Sequence, residues 1–551
     1  MREMATRFER HVQKQVLEFL QTVLMIDDEA YRRSSPLSPV DEPDDWSSGS
    51  ASGDLGAPLE LRPPPAEPSP DDLDVQEVSI SFGSKGLACA ILSPQTTEEN
   101  DEFKPAFVKT ARRADALILD WNMNGDNGKT AEKLVRAVLK EDVKSPRRRL
   151  RLITVYTGEP DLQQIAERLS VATGETLKGV DISWDDEAKV AFSRGPVRVS
   201  VFAKKHVQSL APALEGRRKS IAELPTLVVE DFSRHSTGLV TSASLSALAG
   251  IRNDAHRVLA ALGPELDPAI LGQRISLPHP EDVERQVEGL IVSEIQAVIQ
   301  DHEVGSHVGL PRIKEWLAHH KTLPARGISS FTEITAALRL KLLSEGFSDE
   351  FFEDLKNAGS SKTRGEKMQK DSGTLLFSTT SEERALSDRL LASRMSLRSR
   401  YAKPTPVLQL GSILERGGAY AVCVQPLCDS VRITGSRAFP LLPLEVAAEG
   451  DRLPGDGMLT VPDQRVDGGY VRLRLHARPT DILMETFKAT PAGIVQAKLN
   501  RGINRFRPVG DKSWRWVGDL KPDHAQRVVE RLSAQFSRVG LDEAEVLRLG
   551  L

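Results

Sequence analysis

The first 215 residues predict a doubly wound α/β fold on a five-stranded parallel sheet, from two observations. Short apolar runs recur at Val23–Ile26, Leu87–Leu92, Ala116–Leu119, Leu150–Tyr156 and Val197–Phe202, with helix-like stretches between most of them. Such alternation argues for parallel strands with helical crossovers. The runs also end in polar residues: Asp27-Asp28-Glu29, Asp120, Thr157-Gly158 and Lys204-Lys205. In open α/β sheets, ligands gather at the carboxyl ends of the strands.

Residues 6–20 carry Phe8, Val12, Val16, Phe19 and Leu20 at helical spacing. After the first strand, residues 32–72 are dominated by Ser, Pro, Gly and Asp. They cannot bury enough apolar surface to offset their ordering entropy, and read as a disordered acidic insertion; an acidic lid is the other reading. A displaced helix is expected at about Asp72–Ser84, and further helices at 102–113, Thr130–Lys140 and Asp161–Leu169. Residues 177–196 read as an added hairpin, from Gly179–Ser183 and Lys189–Phe192. Residues 216–400 read as a mainly helical domain, with amphipathic stretches at Asp282–Gln300 and Phe331–Leu343 and a polar break at 358–373. Residues 401–551 read as a mixed α+β domain with a strand at Tyr420–Val424 and a last helix at about Pro522–Val539.

The 551 residues are 40% hydrophobic and 27% charged, enough to build cores and stay soluble. No apolar stretch is long enough to cross a membrane. The start, Met1-Arg2-Glu3, is no signal-peptide core, so a cytoplasmic protein is expected. Three cysteines exclude a disulfide scaffold. Cys423 and Cys428, with Asp429, fall short of a zinc ligand set and read as buried structural cysteines. A net charge of -5 argues against a non-specific nucleic-acid binder, and no recognition helix is evident. The basic stretch Arg394, Arg398, Arg400 and Lys403 has one aromatic residue, Tyr401, and Arg147-Arg148-Arg149 reads as a solvated loop. No glycine-rich phosphate loop, nucleophile elbow or HExxH motif appears beyond residue 210.

The strand ends carry the chemistry. Three carboxylates brought together (Asp27, Asp28, Asp120) repel one another and invite a divalent cation, and magnesium suits oxygen ligands. A lysine can pair a carboxylate or phosphoryl group as a point charge. A threonine hydroxyl can donate to a phosphoryl oxygen. Together these parts suit phosphoryl transfer to a carboxylate. Each alone has a plainer reading: Asp-Asp as a helix N-cap, Thr157-Gly158 as a turn, Lys204-Lys205 as a solvated end. Their joint order favours the chemical one.

In this order the parts resemble the receiver domains of two-component response regulators, a flavodoxin-like fold. The carrying residues are Val23–Glu29, Leu117–Met123 with Gly128 eight past Asp120, Val155–Glu159 and Val201–Lys205. The resemblance implies that Asp120 is the phosphoacceptor and that Asp27, Asp28, Asp120 and the Asn122 backbone carbonyl hold Mg2+. It also implies that Thr157 is the switch hydroxyl and Lys204, or Lys205, the switch lysine. If Lys205 is the match, Phe202 takes the switch-aromatic position. Asn122 and Glu159 occupy positions that influence phosphoryl lifetime, and a polar pair there implies a short-lived aspartyl phosphate. Departures are Lys205 in place of proline, Asn124 where proline often follows the methionine, and long spacings of 92 positions from Asp28 to Asp120 and 47 from Thr157 to Lys204. Trp121 reads as a surface ring beside the site.

Two later segments, Tyr420–Arg432 with Phe439–Leu444, and Trp516–Leu520 with His524–Gln526 and Arg538–Leu541, resemble large variant receivers of Detocs-type bacterial antiphage systems, of the non-effector kind. The implied partners are a sensor histidine kinase and a second receiver-bearing effector protein, with no membrane and no nucleic acid. The implied role is a phosphate sink or regulator, with no enzymatic turnover beyond self-phosphorylation and autodephosphorylation. The alternatives are a pseudo-receiver scaffold and a response regulator with an unrecognised C-terminal output activity.

Overall fold

The structure, a computed structural model, describes residues 5–31, 73–94, 100–145, 148–320, 336–357, 373–378, 380–403, 405–448, 457–475 and 478–536. The expected disordered insertion and nearly all of the polar break lie outside the described residues. The chain divides into two compact units, Met1–Lys321 and Thr322–Leu551, so the stretch read as one helical domain, 216–400, is shared between them.

The first unit begins with α1 (Arg7–Phe19), capped by a reciprocal Thr6–Glu9 box. Then come β1 (Thr22–Ile26), the two-residue strands β2 (Ala30–Tyr31) and β3 (Leu73–Asp74), α2 (Val75–Gly83), β4 (Ala88–Leu92), α3 (Asn100–Ala111) and β5 (Ala116–Leu119). They are followed by α4 (Lys129–Asp142), β6 (Arg151–Thr157), α5 (Leu162–Thr176), β7 (Ile182–Trp184), β8 (Ala191–Arg194), β9 (Val197–Lys204), β10 (Arg218–Lys219) and α6 (Leu224–His235).

The main sheet has the order β4-β1-β5-β6-β9-β8-β7. Its first five strands are parallel. β5, β6 and β9 are buried along their whole lengths, as strands covered on both faces should be. Two additions extend these five strands. The hairpin β7–β8 adds two antiparallel strands against β9, and β10 adds a short parallel pairing at its end, making eight strands in a mixed sheet. The hairpin pairs the backbone groups that β9 would otherwise expose at the edge.

Two helical layers cover the sheet. Phe107, Leu134, Val138, Ile165 and Leu169 of α3, α4 and α5 pack on one face. Phe8, Val12 and Val16 of α1, Val78 and Phe82 of α2, and Leu224, Val228 and Phe232 of α6 pack on the other. Thus α6, beyond residue 215, completes the second layer. The next helices are α7 (Leu239–Ala261), α8 (Asp267–Ser276), α9 (Val283–Asp301) and α10 (Leu310–His319). Arg252 of α7 donates to both oxygens of Asp115, at 3.0 and 2.9 Å. Asp115 also accepts from the backbone N–H groups of Gln21 and Thr22, so one carboxylate ties α7 to the start of β1.

The second unit contains α11 (Ala336–Glu345), α12 (Asp349–Asn357) and α13 (Ser381–Ser396). After them come β11 (Ser412–Arg416), β12 (Ala419–Cys423), β13 (Ser436–Val446), β14 (Met458–Pro462), β15 (Tyr470–Leu475), β16 (Leu483–Lys488), β17 (Lys498–Asn500), β18 (Ile503–Phe506), β19 (Trp514–Asp519) and α14 (Pro522–Phe536). The strands form one nine-stranded antiparallel sheet. One apolar cluster includes Val528 and Leu532 of α14, and a second holds Phe439, Phe487 and Trp514. Cys423 is buried in the second cluster but Cys428 is exposed, so only one of the pair is a buried structural cysteine. Among the described residues, no helix is long and apolar enough to cross a membrane.

A pH dependence follows from α1. His11 Nε2 lies 3.1 Å from Nδ1 of His307, with the rings 5.1 Å apart. Burial, reinforced by the nearby Arg312 guanidinium and His307, pushes His11 down to about 4. Burial lowers His307 as well. Between the unfolded value and the lowered one, the unfolded chain binds more protons, so native stability falls as pH drops from about 6.5 towards 4. The melting temperature of the first unit, followed by calorimetry, should fall across this window, and fall less steeply in His11→Gln.

Candidate functional site

The register of the parallel strands assembles the site. Ile26 of β1 pairs with Leu119 of β5, so the next residues, Asp27 and Asp120, emerge side by side. Thr157 of β6 pairs with Ala203 of β9, which sets Lys204 one residue beyond Thr157. Asp27, Asp120, Thr157 and Lys204 are all buried, Thr157 completely.

Lys204 Nζ lies 3.3 Å from Asp120 Oδ2 and 3.5 Å from Asp27 Oδ2. Lys205 is exposed, so Lys204 is the lysine that enters the site. Asp120 Oδ1 accepts from the Trp121 N–H at 2.6 Å, and Asp27 Oδ1 from the Glu29 N–H at 2.9 Å. Asp28 Oδ2 accepts from the Asn124 N–H at 2.6 Å. Asn124 has φ 54, which proline cannot adopt, and proline would also lack this N–H. The departure from the resembled pattern at Asn124 thus has a structural reason.

The donor set fits a hard divalent cation. Asp27, Asp28 and Asp120 each offer a carboxylate oxygen, and these oxygens lie within 4.8 Å of one another; no other such group occurs among the described residues. Asp28 Oδ1 is buried with no hydrogen-bond partner. Burial pushes Asp27 up to about 6 despite Lys204, and raises Asp120 for the same reason. One ammonium leaves the three carboxylates under-compensated. The Asn122 carbonyl accepts only a long bond, 3.4 Å, from the Gly125 N–H, and retains a lone pair for a cation.

Trp121 is not the surface ring expected. It is 1% exposed and packs within the core, with the Arg168 guanidinium 4.6 Å from its ring centroid. This explains the glycine eight past Asp120. A Cβ on Gly128 would sit 2.2 Å from the indole, and its φ of +81 is left-handed. Asp126 holds the turn, accepting from the N–H groups of Gly128 and Thr130. Sequence reasoning missed this role, although an aspartate two before a glycine at a helix start is a recognisable turn signal.

Thr157 Oγ1 accepts from the Glu159 N–H at 3.1 Å, leaving its hydroxyl proton available. Asn122 Nδ2 donates to Glu159 Oε1 at 2.9 Å, bridging the ends of β5 and β6. Phe202 is buried under the Arg217 guanidinium at 5.0 Å. Tyr156, on the neighbouring strand β6, donates its hydroxyl to the Lys219 carbonyl. Nothing in the sequence near Lys219 signals that contact, which depends on the pairing of β10 with β9.

Residues 19–209 match the family model described as the response receiver domain. No curated protein matches the chain, and no solved structure does.

The packing of Trp121 on Gly128 has a measurable consequence. Gly128→Ala should lower stability by about 2–3 kcal/mol in denaturant titration, combining overpacking with left-handed strain. Gly125→Ala is the control: its φ is also positive, but open space surrounds the added carbon, so its loss should be smaller.

Proposed function

We propose that this chain is a phosphoacceptor of a two-component-type relay, taking a phosphoryl group on Asp120 from a sensor histidine kinase in the cytoplasm. The observation that carries this reading is the convergence of three carboxylates, two of them buried, with Lys204, 3.3 Å from Asp120 Oδ2. Asp27, Asp28, Asp120 and the Asn122 carbonyl would hold Mg2+, which neutralises charge on the transferring group when bound. The Asp120 carboxylate attacks phosphorus, the bond to the kinase histidine breaks, and an acyl phosphate forms. Lys204, now paired with Asp120 Oδ2, becomes the counter-charge of a phosphoryl oxygen. The Thr157 hydroxyl donates to another oxygen. Because Thr157 is buried, a shift of its side chain towards that oxygen changes the packing at the end of β6.

The Asn122–Glu159 contact supports a short-lived product. An amide and a carboxylate held 2.9 Å apart beside the acceptor can orient attacking water. Rapid hydrolysis is what a phosphate sink needs. In the antiphage setting implied by the C-terminal resemblance, the chain would drain phosphoryl groups that could otherwise reach a second receiver-bearing effector.

Incubation with the partner kinase or a small phosphodonor plus Mg2+, resolved on a phosphate-affinity gel, should give a shifted band. Hydroxylamine should remove the shift, and Asp120→Asn should abolish it. An unshifted wild-type chain under conditions that label another receiver would instead indicate a partner-binding scaffold. A time course after donor removal tests the water-orienting pair. Asn122→Ala with Glu159→Ala should slow dephosphorylation severalfold, and an unchanged rate would remove the pair from that role.

A further inference from the structure

We propose that the β17–β18 hairpin of the second unit binds the phosphodiester backbone of duplex DNA. In a chain of net charge -5, the stretch 486–510 contains Lys488, Lys498, Arg501, Arg505 and Arg507 and no acidic residue. Among the described residues, none of these five side chains has an ion-pair or hydrogen-bond partner. Lys488, Lys498, Arg501 and Arg507 are exposed and Arg505 is half-buried, so this charge reaches the surface without compensation.

The arrangement is locally unfavourable. Lys498 and Arg505 stand directly opposite each other on antiparallel strands, and like charges there destabilise a hairpin. Arg501 and Gly502 form the two-residue turn, with φ 49 and 78. Such turns favour Asn, Asp or Gly at the first position, and an arginine in left-handed backbone is costly. Three strained or repelling positions in one short ribbon all add cationic charge. A polyanion would relieve the repulsion, and basic charge along a protruding element is the electrostatic footprint of nucleic-acid binding.

The shape and the remaining side chains favour a duplex over other polyanions. The hairpin forms the edge of the nine-stranded sheet, and β18 pairs with β19 only at Arg505 and Phe506, so its turn end is a two-stranded β-ribbon. Such a ribbon fits the major groove of B-DNA, whereas the major groove of A-form RNA is too deep and narrow. Single strands are bound by stacking on exposed aromatic rings. Here the nearby aromatics, Phe506 and Trp514, are buried. An acidic protein or an anionic membrane would be expected to engage a continuous apolar patch. On this hairpin each exposed apolar residue faces an amide instead: Leu499 opposite Asn504, and Ile503 opposite Asn500. Those amides can donate to phosphates or base edges.

The test uses the full chain and fluorescence anisotropy with an end-labelled DNA duplex of arbitrary sequence. Parallel arms use a polyglutamate peptide and vesicles containing phosphatidylserine. Duplex binding should weaken steeply between about 50 and 200 mM salt, with a log–log slope near -3 to -4 for about four neutralised phosphates. The combined variant Lys498→Gln, Arg501→Gln, Arg505→Gln and Arg507→Gln should bind at least tenfold more weakly and lose most of that slope. The corresponding arginine-to-lysine variant should keep both, which separates lost charge from lost folding. No duplex binding at the lowest salt, unchanged binding by the glutamine variant, or tighter binding to polyglutamate or vesicles would overturn the proposal.

Discussion

Repulsion among three carboxylates at the ends of two neighbouring strands is the constraint around which the first unit is built. Asp27 and Asp28 follow β1, Asp120 follows β5, and the backbone register holds Asp27 beside Asp120. The group that offsets part of this charge comes from β9, with β6 between it and β5. Strands are spaced about 4.8 Å apart, so the side chain must cross roughly two spacings, and lysine has the stem to do it. Because burial opposes ionisation of Asp27 and Asp120 more strongly than Lys204 favours it, the cluster is under-compensated. That deficit suits it to bind a cation.

The surrounding departures from a simple five-stranded sheet serve this cluster or leave it undisturbed. The left-handed loop after β5 frees the Asn124 N–H for Asp28 and lets Trp121 pack over Gly128. The hairpin β7–β8 closes the sheet beyond β9, which carries Lys204, and occupies the edge where the simpler fold would be open. α6 and α7 thicken the opposite layer, and α1 lies against both of them and α10. The site is therefore set at the strand ends of a sheet packed on both faces.

The parts of this that were legible in the sequence are those with a local signature. Apolar runs ending in acidic or polar residues located β1, β5, β6 and β9, and the Gly179–Phe192 segment announced the extra hairpin. The lysine choice was open because Lys204 and Lys205 differ only in which way the strand points them, and that depends on pairing with β6. The burial of Trp121 was not legible because it depends on contact with a residue seven positions away and on Arg168 from another helix. The role of α6 in the first unit was missed because composition alone does not mark where a helical layer ends. Short β-like runs mark the second unit as mixed α+β, but its nine-stranded order depends on long-range pairings such as β11 with β19, which no local pattern encodes.

The proposed phosphoryl transfer to Asp120 rests first on the carboxylate cluster taking up a divalent cation in competition with Lys204. Calorimetric titration of Mg2+ into the full chain near neutral pH measures this directly. One saturable site is expected. Asp28→Asn should weaken it by about tenfold or more, since a ligand is lost, and Lys204→Ala should tighten it by removing the competing charge. A chain with no saturable site, or one whose affinity is unmoved by either substitution, would contradict the account.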